Sequence, residues 1–255
     1  MLATEGMSGI ASSVLYVYGF VRAHALEGFC EEGVGGADAT VIEGDDVAAI
    51  VSPVLRSRPR LKRRDLDRHL RVIESAFGST TILPCAFGTT VDSGTELEVG
   101  VLAGARDDLL AGLERLEGKV QMNVKAIYDE QELLREIVLA DPQVAELRER
   151  TRGAGNAAYD ERLQLGEIVA ARIDARASRD AVRLMDALAE PAVDVVPEPT
   201  DGGSALRAAF LVDRKSLRRF EAALEALARV ERPMLRFEAI GPLPPTAFAA
   251  AYTRA

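Results

Sequence analysis

The stretch Met234-Leu235-Arg236-Phe237-Glu238-Ala239-Ile240-Gly241-Pro242-Leu243-Pro244-Pro245-Thr246-Ala247-Phe248 decides how this chain is read. Leu235, Phe237 and Ala239 alternate with Arg236 and Glu238, the pattern of a strand with one buried face. Three prolines follow within four positions, and proline has no backbone N–H to give to a ladder, so the strand is expected to stop and an extended tail to begin. A tail whose φ angles are already fixed loses little entropy on docking. It is either a lid on the chain's own core or a hook for another protein.

Upstream of that strand, the apolar run 205–212 reads as a second strand. Segment 213–230 places Leu217, Phe220, Leu224 and Leu227 on one helical face. Earlier still, Leu163, Ala170, Ile173, Ala177, Leu184 and Leu188 recur at near-heptad steps across 158–190. A helix of that length spans about 45 Å and is expected to bridge or buttress two lobes. Pro191, Pro197 and Pro199 end it, and Pro142 and Gly153-Ala154-Gly155-Asn156 punctuate the helical stretch that leads to it from Glu130.

At the other end, Val14-Leu15-Tyr16-Val17-Tyr18-Gly19-Phe20 reads as a strand buried on both faces. Segments 39–42 and 47–51 form a hairpin about Glu43-Gly44-Asp45-Asp46. A helix capped by Asp65 and ended by Gly78 carries Leu66, Leu70, Ile73 and Phe77 as its apolar stripe, and strand Thr81-Ile82-Leu83 is halted by Pro84. A second helix opens on the capping-box spacing Thr95-Glu96-Leu97-Glu98, carries Leu102, Ala105, Leu109, Leu113 and Leu116, and closes at Gly118 before strand 120–127. Strands interleaved with two helices predict a ferredoxin-like β-α-β sandwich for this half, and the whole predicts a two-lobed α+β protein. The expected divisions are 1–128, a helical connector 129–190, a smaller α+β domain 191–241 and a proline-rich tail 242–255.

The chain has 255 residues, 48% of them hydrophobic and 28% charged, as in soluble globular proteins. A net charge of -9 argues against nucleic acid and anionic membrane as principal partners. No segment approaches the run of about 20 apolar residues that spans a bilayer. Residues 1–13 contain Glu5 and no basic residue, unlike signal or transit peptides, so a cytoplasmic protein is expected.

Catalytic and cofactor constellations are not found. Gly112 to Gly118-Lys119 has the wrong spacing for a phosphate loop and reads as a helix C-cap, and the glycines from Gly28 to Gly36 read as a flexible loop. Cys30 and Cys85 have no metal-ligand or CxxC spacing and read as idle thiols. Glu31-Glu32, Asp45-Asp46 and Asp107-Asp108 read as solvated turns or helix faces, since adjacent side chains point apart. His69, between Arg68 and Leu70, reads as a solvated helix residue. The basic run Arg56, Arg58, Arg60, Lys62, Arg63, Arg64, Arg68 and Arg71 lacks interleaved aromatics and reads as a solvated loop, with a protein contact left open. No enzyme activity, metal or cofactor is expected.

Three stretches together carry a resemblance: Leu15-Tyr16-Val17-Tyr18-Gly19, Ile82-Leu83-Pro84-Cys85-Ala86-Phe87-Gly88-Thr89, and Gly241-Pro242-Leu243-Pro244-Pro245-Thr246-Ala247-Phe248. In order and spacing the chain resembles the gas vesicle protein GvpF/GvpL family from Val14 to Phe248. Leu243 stands where the family commonly has tryptophan. The resemblance implies two ferredoxin-like lobes joined by helices, with the tail packed back onto the protein. It further implies a non-enzymatic gas vesicle component or assembly factor that binds the hydrophobic shell protein and other accessory proteins. The implied partner contacts are Phe87, Leu243, Pro244, Pro245 and Phe248, with Phe248 and Leu243 alternatively covering the second lobe's sheet. A ferredoxin-like small-molecule-binding regulatory domain is the alternative, and it would need a concave apolar pocket with converging polar groups.

Overall fold

A computed structural model describes residues 13–55, 62–153, 158–200 and 202–253. Arg56, Arg58 and Arg60 of the basic run, Ala154-Gly155-Asn156 of the glycine cluster and the first twelve residues lie outside these. The chain divides into two compact units, one comprising the residues up to Val120 together with the chain from Leu243 onward, the other Gln121–Pro242.

The first unit is built on β1 (Ser13–Arg22), β2 (Glu31–Glu32), β3 (Asp38–Glu43) and β4 (Val47–Leu55), followed by α1 (Arg63–Ser79), β5 (Leu83–Pro84), β6 (Thr90–Val91) and α2 (Arg106–Leu116). The sheet order is β2-β3-β4-β1-β5, with β6 also pairing β1. The expected hairpin is present, with Thr40 opposite Val51 and Glu43 opposite Ala48. β1 is central and buried on both faces, as its composition predicts. Its register against β4 jumps between Val17 and Gly19, so Tyr18 is the extra residue of a β-bulge. The bulge shifts the side-chain phase. Tyr16, Tyr18 and Val21 enter one core with Ile50, Val72, Ile73 and Ala76, while Val17 and Phe20 line the opposite face beside Leu109 of α2.

The second predicted helix is broken in two. π-helical turns cover Glu96–Ala103, and α2 starts only at Arg106. Ser93, not Thr95, makes the cap, its Oγ accepting from the Glu96 N–H at 3.1 Å. Gly118 has φ 68°, the left-handed C-cap conformation expected of it.

The largest difference from the sequence reading concerns strand 120–127. It is β7 (Lys119–Tyr128), and it lies in the other sheet. Alternation identifies a strand but says nothing of its partner, which is a long-range choice.

The second unit runs from β7 through α3 (Glu130–Ala140), α4 (Pro142–Thr151), α5 (Tyr159–Ala189), β8 (Asp194–Pro197), β9 (Ser204–Asp213) and α6 (Leu217–Val230) to β10 (Leu235–Leu243). Its sheet order is β10-β7-β9-β8. Asp141 ends α3 and caps α4, its carboxylate accepting from the Gln143 N–H at 3.0 Å, with Pro142 at the first helical position. α5 is one helix of 31 residues, as the heptad-like pattern requires. The buried Asp180 of α5 ties the helix to its surroundings. It accepts from Tyr128 at 2.7 Å, Arg176 at 2.7 Å and Arg183 at 3.0 Å, and Arg183 also pairs with Glu231. Burial pushes the Asp180 carboxyl up, but these three donors outweigh it and hold it below the usual range.

β8 is absent from the sequence reading because four residues ending in a proline give no readable period. β10 also corrects it: the strand continues through Gly241-Pro242 to Leu243. β10 is an edge strand with β7 as its sheet neighbour, and an edge tolerates a residue without an N–H.

The tail then returns to the first unit. Pro244, Pro245 and Phe248 are buried, a 3-10 turn spans Thr246–Phe248, and Tyr252 lies against Gly112 of α2. A Cβ at Gly112 would sit 2.9 Å from Tyr252 Cγ and 3.0 Å from Leu83 Cδ2. Gly112→Ala in a helix ordinarily stabilises by about 1 kcal/mol. Here it is expected to destabilise by about 1–3 kcal/mol through overpacking. In a Tyr252→Gly background that loss should shrink, because Tyr252 supplies two of the three nearest atoms, Cγ at 2.9 Å and Cβ at 3.0 Å. Urea titrations of the unaltered chain, the two single variants and the double variant check this, and an equal loss in both backgrounds would contradict the tail's placement.

Candidate functional site

The loop that follows β5, Cys85-Ala86-Phe87-Gly88-Thr89, is held by polar groups that the sheet itself supplies. Cys85 N–H donates to the Tyr18 carbonyl at 2.9 Å, and Val17 N–H to the Thr89 carbonyl at 3.0 Å. Tyr16 Oη accepts from Gly88 N–H at 2.9 Å and lies 3.1 Å from His69 Nδ1, to which it donates when the ring is neutral. The other ring nitrogen donates to the Cys85 carbonyl. Tyr18 Oη accepts from Val34 N–H at 2.6 Å and bonds Ser52 Oγ at 2.8 Å. Two strand tyrosines thus fasten the loop, α1 and the 3-10 turn at Val34–Gly36 to the sheet.

His69 is therefore not solvated as its sequence neighbours suggest. It is 3% exposed, with its ring stacked on Tyr18 at 5.7 Å and edge-on to Phe87 at 5.5 Å. Buried tyrosine hydroxyls need partners, so two tyrosines two apart in a core strand were the available signal that a polar residue must face them from the covering helix. Asp65 is likewise buried, and it acts as the third helical residue of a capping box, accepting from Lys62 N–H at 2.9 Å.

α1 consequently turns Asp65, His69, Val72, Ile73 and Ala76 inward, and the expected stripe of Leu66, Leu70, Ile73 and Phe77 is only partly covered. Leu66 remains 37% exposed and Leu70 41%. On the flank toward β2, Arg68 pairs with Glu32, and Ser75 Oγ donates to Glu31 at 2.7 Å. At about 100° per residue, Leu66 and Leu70 fall on the opposite flank, toward β5 and its loop. There Phe87 is also 37% exposed, packed edge-on against Tyr16 at 6.4 Å.

Of the other residues singled out in the sequence, Pro244, Pro245 and Phe248 are buried within the chain and Leu243 is half-buried. Leu243 is the last residue of β10, and the segment from Leu243 onward groups with the first unit. Tyr252 and Thr253 wall one side of a cavity of about 350 Å³ lined also by Val17, Phe20, Cys85 and Leu109. Cys85 is buried, with its thiol pushed up to about 12 by desolvation, and Cys30 is exposed; both are free. Among the described residues no cluster of three histidine, cysteine or acidic side chains could hold a metal, and no helix is long and apolar enough to cross a membrane.

Burial holds His69 down to about 4, against the hydrogen bond that its ring donates to the Cys85 carbonyl, which acts upward. The unfolded chain therefore takes up this proton first, near pH 6.5, and the folded chain resists until about pH 4. Stability is complete above 6.5 and falls with pH below it, by at most about 1.4 kcal/mol per pH unit from this group. Denaturation between pH 6.5 and 5, above the range where carboxylates dominate, should show this slope, and His69→Gln should flatten it. An unchanged slope in the variant would contradict the assignment.

Comparison with known proteins agrees with this architecture. The chain matches the family model "Gas vesicle synthesis protein GvpL/GvpF" over residues 14–250. It is 34% identical to gas vesicle protein F of Streptomyces sp. (strain CB03234), covering 91% of this chain and 98% of that protein. Gas vesicle protein L of the same organism is 28% identical, with 92% of each chain covered. The crystal structure of GvpF from Anabaena sp. PCC7120 superposes with a TM-score of 0.78 at 22% identity, covering 93% of this chain and 98% of that one. A match over nearly the whole described length, joined to this fold, places the chain in the GvpL/GvpF family of gas vesicle proteins.

Proposed function

We propose that this chain is a non-enzymatic assembly protein of gas vesicles that binds the hydrophobic shell protein and other accessory proteins while vesicles form in the cytoplasm. The observation that carries this reading is that Leu66, Leu70 and Phe87 each stay more than a third exposed, with the two leucines on the flank of α1 turned away from β2, while the inner face of that helix buries Asp65 and His69. Burying an aliphatic or aromatic side chain is worth about 1.5–3 kcal/mol, so three left in water on a rigid support are a ready contact for an apolar partner. A shell subunit exposes such surface until it is assembled, and a partner that covers it would prevent aggregation. Leu243 and Phe87 are the contacts carried forward from the family motifs; Pro244, Pro245 and Phe248 serve by fixing the tail. In fold terms, the second unit's order of strand, helices, two strands, helix and strand, with β10 and β8 at the edges, is what a ferredoxin-like lobe requires.

Co-purification of the full chain with the shell protein and accessory proteins of its own organism tests the reading. Retention of the shell protein is expected, and Leu66→Asp with Leu70→Asp should reduce it at least tenfold while the urea midpoint moves little. Binding to none of these proteins would end the proposal.

A further inference from the structure

A second apolar surface lies in the other unit. α3 buries Leu133 and Ile137 on its inner side. Its outer side carries another apolar set, Leu134, Val138 and Leu139, which with Leu165 and Val169 of α5 lines an open groove of about 500 Å³. Leu139 is 77% exposed. The groove runs beside an 11-residue helix, about 16 Å long at 1.5 Å per residue, which is three helical turns.

Its rim is basic. Arg135 and Arg148 border the groove and make no ion pair among the described residues, whereas nearby Arg150, Arg172 and Arg176 are each paired with carboxylates. In a chain of net charge -9, two uncompensated guanidiniums over an apolar floor define the complementary occupant. We infer that the groove receives an amphipathic helix of another protein, of about three turns, with aliphatic anchors at i, i+3 or i+4 and i+7 and carboxylates along its flank. Apolar anchors supply the affinity, and the two arginines select acidic over basic helices. This surface is separate from the Leu66, Leu70 and Phe87 patch and does not depend on the reading given for it.

The test uses the full chain and two designed 18-residue helical peptides that share the same leucine spacing but carry either glutamate or lysine on the flanks. Fluorescence anisotropy should show saturable binding of the glutamate peptide, against the repulsion expected from the chain's net charge. Its Kd should rise at least tenfold in Leu139→Ser and in the double variant Arg135→Glu with Arg148→Glu. That double variant should in turn bind the lysine peptide more tightly than the unaltered chain does. Failure of the glutamate peptide to bind, or binding indifferent to these substitutions, would overturn the inference. So would a self-associated chain in sedimentation that Leu139→Ser dissociates, since the groove would then belong to a second copy.

Discussion

The first unit depends on the bulge at Tyr18. A strand at the centre of a sheet must satisfy two cores at once, and an unbroken period of two would fix which side chains go to which. The extra residue lets Tyr16, Tyr18 and Val21 serve one face while Val17 and Phe20 serve the other. It also takes two phenol hydroxyls into the interior, where an unpaired one would cost about 1–3 kcal/mol. Every partner they find is structural punctuation elsewhere: Gly88 in the loop after β5, His69 on α1, Ser52 on β4 and Val34 in the 3-10 turn.

From that constraint the exposed patch follows. Because His69 must meet Tyr16, α1 cannot rotate to bury Leu66 and Leu70, and because Gly88 must meet the same hydroxyl, the adjacent Phe87 stays beside His69 at the edge of the core. Hydrophobic burial alone would favour the other rotation. Hydrogen-bond satisfaction wins, since turning His69 out to solvent would leave the buried Tyr16 hydroxyl without an acceptor for its proton.

Elements whose signal is local were legible from the chain: β1, the β3–β4 hairpin, the cap at Gly118, α5 and the helix α6. What the sequence hid was non-local. Strand pairing moved β7 to the second sheet, the bulge altered the phase of β1, and hydrogen-bonded polar residues took places on α1 that a count of leucines assigns to Leu66 and Leu70. The apolar set Leu134, Val138 and Leu139 was hidden for a related reason. A helix with two apolar faces looks merely hydrophobic until the structure shows which face the core uses. The family motifs were informative at a different level: the loop around Phe87 and the tail around Phe248 mark places where chain geometry is tightly specified, while the contacts made there differ in kind.

The residues of the tail motif are mostly buried within the chain itself. A hook would keep its prolines and phenylalanine in solvent, whereas Pro244, Pro245 and Phe248 are buried, and Tyr252 adds an aromatic ring against α2 where Leu243 is smaller than the tryptophan common at its own position. The lid closes a unit whose other residues were all made before Gln121. Such contacts join segments far apart in sequence, so their loop-closure entropy must be offset by the rest of the core. Tyr252 and Thr253 wall the cavity beside Cys85, so the packing of the first unit around it is made jointly by the segment before Gln121 and the segment after Pro242.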